Sequence, residues 1–399
     1  MNDLQGNQTA VKGPLIYLIA GEASGDNIGA RLMASLKQQT TGNIRFSGIG
    51  GPRMAEQGLK SLFPMEELSI MGFSEVLPHI PKLLGRITKT VGDVVSQRPD
   101  AVVTIDTPAF SFRVAKKLKG KGIPLIHFVA PSVWAWKPWR AKRVAGFLDH
   151  LLTLLPFEPP YFEKEGLAAT FVGHPVLESG ASQGDGPGFR ARYNIGRKHK
   201  VLCLLPGSRS SETSRLLPVF REVCETLAQK IEDLVVVLPT VPNLKDGIEA
   251  DVKTWSVETK VIDGLDEKFD AFAAADVALA ASGTVSLELA IAKTPAVIAY
   301  KVSPLSAWIA KKLVKLKFVS LVNILTDQEI VPEYLLECCR ADIIEPNVHL
   351  LLTAQDKRQD QLAGYDEALK LLRAEEGLEP SASAAVTILK VIENQKKKE

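Results

Sequence analysis

Strand-like apolar runs alternate with helix-like stretches along nearly the whole chain, and the alternation stops once and restarts. The first series is "LIYLIA", "NIRFSGIG", "AVVTID", "PLIHFVA", "HLLTLLP" and "AATFVG". Helical patterns sit between several of them, such as "SFRVAKKLKGKG", which ends on glycine. Alternation of this kind means a parallel sheet covered by helices. Near Val176 it breaks at "LESGASQGDGPG", whose Gly, Ser and Asp content reads as a linker. It resumes through "HKVLCLLPG", "DLVVVLPT", "TKVIDG", "ADVALAAS" and "PAVIAY". The expectation is an α/β fold of two doubly wound, Rossmann-like domains. Open sheets of this kind bind ligands beyond the carboxyl ends of their strands, so two of them present two ligand edges to one cleft.

The totals exclude several function classes. The net charge of 399 residues is only +2, which argues against a dedicated nucleic-acid binder. The charge is uneven, with basic clusters at Lys137–Arg143, at Lys311–Lys317 and in the final "KKK". These are solvated faces or contacts to an anionic surface such as a membrane. Cys203, Cys224, Cys338 and Cys339 form no Cys-x-x-Cys pair, so free thiols in a reducing cytoplasm are expected. The six histidines include no His-Glu-x-x-His pair, and no metal is expected. The first dozen residues are polar, and the apolar stretches fall short of the roughly 20 residues that span a bilayer. The expectation is a soluble or peripheral protein.

Six stretches carry chemistry. "GEASGD", Gly21 to Asp26, lies between a strand and a helix, as phosphate loops do, but has unusual glycine spacing and two carboxylates. "VLCLLPGSRSSE" runs a strand through Gly207 and Ser208 to Arg209, with a helix starting near Glu212. Glycine permits close backbone approach, free N–H groups at a helix start favour an anion, and Arg209 can pair with a diphosphate. An ordinary strand-to-helix turn with a surface Arg reads the same way. In "ADVALAASGTVSLELAIAK", Ser282, Gly283 and Thr284 open another helix after a strand. Glu288 follows about one turn on, placed to accept from ribose hydroxyls or to sit in solvent. Two anion loops in one domain favour the nucleotide. "AVVTIDTPAFSF" puts Asp106 at the carboxyl end of an apolar strand, as a general base or as a helix cap before Thr107-Pro108. "HFVAPSVWAWKPWRAKRV" interleaves three tryptophans with Lys137, Arg140, Lys142 and Arg143, and suits nucleic acid, membrane, sugar or plain packing. Finally, Leu68, Ile70, Met71, Phe73, Val76 and Leu77 are too many apolar residues for a surface loop. They are core or an exposed patch that meets lipid.

Taken in order, "GEASGD", "GIGGPRM", "MGFSEVLP", "APSVWAW", "FVGHP", "LPGSR" with a following Glu, and "SGTVSLE" closely resemble the lipid-A-disaccharide synthase family. The resemblance runs from about Pro14 to beyond Val331. It implies a GT-B-like fold: residues 1–176 as acceptor and membrane-facing domain and 177–362 as UDP-sugar donor domain. Residues 363–399 would form a helical segment on the first domain or on a partner chain, the latter giving a homodimer. It implies an inverting glycosyltransferase joining UDP-2,3-diacylglucosamine to 2,3-diacylglucosamine 1-phosphate (lipid X). The products are the tetraacyl disaccharide 1-phosphate and UDP, with no cofactor, at the inner face of the cytoplasmic membrane.

By the same resemblance, Asp106 deprotonates the acceptor 6-hydroxyl and Arg209 stabilises the departing phosphates. Gly207, Ser208, Ser282, Gly283, Thr284, Glu288 and Asn323 hold the donor. Leu68–Leu77 becomes the membrane or acyl patch. With the diphosphate placed on the second domain, Glu22, Ser24, Gly25 and Asp26 fall to the acceptor. The chain departs from the family pattern at Ala109, Ser111, Val322 and Leu336. A UDP-sugar epimerase and a non-catalytic membrane-surface protein are the rival readings.

Overall fold

The structure, a computed structural model, describes residues 13–68, 73–263, 267–302, 317–374 and 377–397; the side chains of 73–80 lie outside the description. The chain divides into two compact units, Met1–Pro175 with Arg373–Glu399, and Val176–Leu372.

Unit 1 holds a six-stranded sheet in the order β2-β1-β3-β4-β5-β6. Its strands are β1 (Leu15–Ala20), β2 (Arg45–Ile49), β3 (Ala101–Ile105), β4 (Leu125–Phe128), β5 (His150–Thr153) and β6 (Ala168–Phe171). All neighbours pair in parallel. Every residue of β1, β3 and β4 is buried, which is why these runs are apolar at successive positions. The helices are α1 (Ala23–Gln39), α2 (Pro52–Glu56), α3 (Phe73–Gln97), α4 (Pro108–Leu118), α5 (Arg140–Ala145) and α6 (Pro159–Glu163). Two cores form, one around Tyr17, Phe110 and Phe162, the other around Leu32, Met33 and Phe128.

Unit 2 repeats the plan in the order β12-β11-β10-β7-β8-β9, again parallel throughout. Its strands are β7 (Lys200–Leu205), β8 (Leu234–Thr240), β9 (Thr259–Asp263), β10 (Val277–Ala281), β11 (Ala296–Tyr300) and β12 (Glu333–Leu335). The helices are α7 (Gly186–Arg192), α8 (Ser210–Ala228), α9 (Pro242–Val252), α10 (Lys268–Ala274), α11 (Val285–Ile291), α12 (Leu321–Thr326), α13 (Ala341–Thr353) and α14 (Gln355–Leu371). The eleven apolar runs are the first eleven strands; β12, three half-buried residues, gave no such signal.

The segment that reads as a linker is a packed part of unit 2. Asp185 caps α7 by accepting from Gly188 N at 2.9 Å, and Phe189 is fully buried. Arg190 donates through Nε and Nη2 to Ala274 O at 3.0 and 2.7 Å, closing α7 onto α10. Its Gly and Ser content therefore reflects tight turns.

The last helix, α15 (Pro380–Lys396), belongs to unit 1. Ala384, Ala385, Ile388 and Ile392 fall on one face at helical spacing and join Leu32, Met33 and Leu36 of α1 in a common core. Ser35 Oγ donates to Ser381 Oγ at 2.9 Å, and Lys396 lies 2.6 Å from Asp100.

Leu68 was expected on an acyl-binding surface, but it is buried in the first core of unit 1 with Tyr17 and Phe63. Its neighbours in that motif fall outside the described residues: Ile70 and Met71 altogether, and the side chains of Phe73, Val76 and Leu77 on α3.

Candidate functional site

Each sheet reverses its winding once. In unit 1 the chain adds β2 on one side of β1, then crosses to β3 on the other. In unit 2 it runs β7-β8-β9, then crosses to β10 on the far side of β7. Such reversals open a crevice beyond the carboxyl ends of the two strands concerned. The motifs fall at these places: "GEASGD" after β1 and Asp106 after β3, "LPGSR" after β7 and "SGT" after β10.

At the unit 1 crevice, Asp106 and Thr107 both adopt left-handed backbone, with φ of 49° and 46°. For two consecutive non-glycine residues, one of them β-branched, this costs on the order of 1–3 kcal/mol each. The double turn breaks the strand and starts α4 at Pro108, with Thr107 in the capping position. Asp106 therefore stands one residue before the cap. Its backbone N–H still donates to Phe128 O at 3.0 Å, and Ser111 Oγ donates to its carbonyl at 2.9 Å. Burial raises the Asp106 carboxyl above the ordinary aspartate range, partly offset by the backbone N–H of Thr107.

Thr107 is itself buried, and its Oγ1 has no partner among the described residues. It presses against Gly21, where an added Cβ would stand 2.8 Å from both Thr107 Cγ2 and Oγ1. The first glycine of "GEASGD" thus makes room for the strained pair at Asp106–Thr107.

Of the four residues expected at the acceptor, Glu22 is the half-buried N-cap of α1 and Ser24 is exposed. Gly25 is buried against β1 and β3. Asp26 is a correction. It is 2% exposed, and its two oxygens accept from Gly51 N, Arg53 N and Met54 N at 2.8, 2.9 and 3.0 Å. It holds the start of α2 and is not available to a ligand. Replacing Asp26 by Ala should cost about 2–3 kcal/mol of stability, read by urea denaturation, because three charge-assisted bonds go at once. A loss of acceptor affinity at unchanged stability would return Asp26 to the ligand.

The tryptophan stretch splits. Trp134 Nε1 donates to Glu158 at 3.2 Å and its ring packs edge-on against Phe157. Burial pushes the Glu158 carboxyl up to about 7, against the N–H groups of Leu155, Leu154 and Trp134. Trp136 and Trp139 are 39% and 58% exposed, with Lys137 Nζ 4.1 Å from the Trp136 ring centre. His174 is buried, and burial holds its imidazole near 4, hence neutral.

At the unit 2 crevice, a pocket of about 450 Å³ brings together Gly207, Ser208, Arg209, Ser282, Gly283, Thr284 and Glu288. Gly207 has a φ of 107°, and an added Cβ would meet Glu212 Oε2 at 2.5 Å and Glu212 Cβ at 2.8 Å. Only glycine lets the loop fold this closely over α8. Arg209 caps α8; its Nη1 donates to Glu212 Oε1 at 3.0 Å, while the side chain is 66% exposed. Glu288 faces the pocket in an ion pair with Lys268, whose Nζ lies 2.9 Å from each carboxylate oxygen. The backbone N–H groups at the start of α8, an exposed guanidinium and a lysine together suit a diphosphate.

Two polar residues of the pocket carry no motif: Lys268, and Thr240 at the end of β8, whose buried Oγ1 has no partner among the described residues. Asn323, in contrast, is not in the pocket. It is fully buried; its Nδ2 donates to Val331 O at 2.7 Å and to Glu333 Oε1 at 2.8 Å, and its Oδ1 accepts from Val331 N at 2.8 Å. With those groups spent on the chain entering β12, Asn323 organises a loop and does not line this pocket.

The sequence profile of the lipid-A-disaccharide synthetase family matches residues 16–387. The lipid-A-disaccharide synthase of Rhodospirillum centenum is 51% identical over 95% of this chain and 94% of its own length. That of Paramagnetospirillum magneticum is 52% identical over 96% and 98%. Among solved structures, S. aureus MnaA with UDP superposes with a TM-score of 0.66 at 13% identity, covering 96% of this chain and 97% of that one. Acinetobacter baumannii MurG gives 0.56 at 14% identity, covering 96% and 99%. At such identities the likeness is one of fold, two Rossmann-like domains in the GT-B manner.

Proposed function

The chain belongs to the lipid-A-disaccharide synthase family, glycosyltransferases of lipid A disaccharide formation, and from that premise we propose that it joins UDP-2,3-diacylglucosamine to 2,3-diacylglucosamine 1-phosphate. The observation that carries this reading is the unit 2 pocket, where both anion loops, Arg209, Lys268 and Glu288 meet at one sheet reversal. The UDP of the donor lies there, with its phosphates on the Gly207–Arg209 loop and its ribose toward Glu288.

The acceptor belongs to unit 1. Asp106, its carboxyl raised by burial, takes the proton of the acceptor 6-hydroxyl. The freed oxygen attacks C1 of the donor sugar as the bond from C1 to the diphosphate breaks. The electron pair leaves on UDP, and Arg209 meets the charge that develops there. One displacement inverts the anomeric centre. Exposed Trp136 and Trp139 beside Lys137, Lys142 and Arg143 support contact with anionic lipid at the cytoplasmic face of the membrane. No helix among the described residues is long and apolar enough to cross a bilayer.

Mass spectrometry of the products decides the reaction. UDP-diacylglucosamine plus lipid X should yield the tetraacyl disaccharide 1-phosphate and UDP. An epimerised sugar from the UDP-sugar alone would make the protein an epimerase. Lipid binding with no product and no UDP binding would make it a non-catalytic surface protein.

A further inference from the structure

Unit 1 contains a second concavity, about 350 Å³, between facing sides of α4 and α5. Arg113 and Lys116 of α4 and Arg140 and Arg143 of α5 line it, and no carboxylate does. Its apolar wall is Phe112, Val144 and Phe147. Some other cations of this unit have acidic partners: Arg86 and Lys82 lie on Glu67, and Lys396 lies on Asp100. The four in the groove do not. Arg113 donates to its own helix at Ala109 O, and Lys116 Nζ stands 5.3 Å from the Phe147 ring centre. The side chains of Arg140 and Arg143 have no hydrogen-bond or ion-pair partner among the described residues. Four like charges around one cavity repel one another, and a bound anion relieves that repulsion.

The groove begins two residues after Asp106 in the chain. Pro108 and Ala109, the first residues of α4, form its near wall, and Arg113 lies four residues further, about 6 Å along the axis. The "GEASGD" loop is a poor place for a phosphate: Asp26 is spent on α2, and Glu22 adds a second carboxylate.

We propose that the α4–α5 groove is the subsite for the phosphate monoester of the amphiphilic acceptor. Arg113, Lys116, Arg140 and Arg143 are its counter-charges, and Phe112, Val144 and Phe147 lie against the apolar part of the same molecule. This rests on the acceptor being a phosphorylated sugar lipid, as above. A phosphorylated acceptor then enters with its hydroxyl toward Asp106 and its phosphate down α4, so the phosphate sets which hydroxyl reaches the base.

The test uses full-length protein, the R140A/R143A and R140K/R143K variants, and two acceptors: lipid X and the same diacylglucosamine without its phosphate. Removing both guanidinium groups should weaken equilibrium binding of lipid X in mixed micelles about tenfold or more. It should also narrow the ratio of kcat/KM between the two acceptors by a similar factor, and the lysine pair should restore part of both. Unchanged lipid X affinity, or an equal loss on both acceptors, overturns the subsite. So does lost sedimentation with phosphatidylglycerol vesicles at full lipid X affinity, which would assign the groove to membrane lipid. Because binding is read without donor, wild-type protein that binds lipid X in this arginine-dependent way but makes no disaccharide would sink the reaction and leave the subsite standing.

Discussion

Asp106→Asn should lower kcat about 100- to 10,000-fold, the usual range for losing a general base, and leave the fold intact. Asn keeps the shape and still accepts from the Thr107 N–H, so the strained turn at Asp106–Thr107 is preserved. What goes is the capacity to take a proton. The pH profile gives an independent check. Burial raises the Asp106 carboxyl, so kcat/KM of the wild type should fall with decreasing pH through a value above the ordinary aspartate range. The stability sign runs the other way. Between the ordinary value and the raised one, the folded state holds a proton that the unfolded state has released. Stability therefore declines as pH rises through that window, and Asn removes the decline. The variant should accordingly be at least as stable as wild type near neutral pH, by thermal denaturation. Turnover near the wild-type rate, or a profile that inflects at the ordinary aspartate value, would remove Asp106 from the chemistry.

The sheets were legible because parallel strands with both faces covered must be apolar at successive positions, and few other elements are. β12 is not legible because three half-buried residues have no periodicity to show. The stretch around Asp185 reads as a linker because the residues that make tight packed turns are also those of solvated linkers. Only the contacts of Phe189 and Arg190 with their neighbours tell the two apart.

The sites divide along a similar line. Gly207, Ser208, Arg209, Ser282, Gly283 and Thr284 follow the ends of β7 and β10, Glu288 lies one turn into α11, and strand order brings those ends together. Asp26 and Asn323 do not behave as ligand groups because backbone N–H and C=O groups, distant in sequence or on a neighbouring turn, occupy them. A polar side chain that satisfies the backbone and one that awaits a ligand look the same in sequence. Lys268 and Thr240 show the converse: both face the pocket from elements that carry no motif.

Arg209→Ala should cost about 100- to 1,000-fold in kcat, the scale seen when one donor to a developing anion is lost, and should raise the donor KM as well. Part of that cost does not belong to the lost contact. Arg209 pairs with Glu212 across a largely exposed surface, so the pair itself is worth only about 0–1 kcal/mol to stability. Its removal nonetheless leaves Glu212 without a counter-charge in the pocket proposed for the diphosphate. The R209A single variant thus combines a missing cation with a newly uncompensated anion. The R209A/E212Q double variant separates the two: it should recover the repulsive share, chiefly in donor KM, while kcat stays low. Arg209→Lys keeps the charge but not the two-pronged fork, so it should retain more of donor binding than of turnover. The arms are read from kcat and KM for the UDP-sugar at saturating lipid X. If the double variant regained wild-type kcat, Arg209 would be there to neutralise Glu212, and the departing phosphates would depend on Lys268 and the backbone N–H groups of the α8 start.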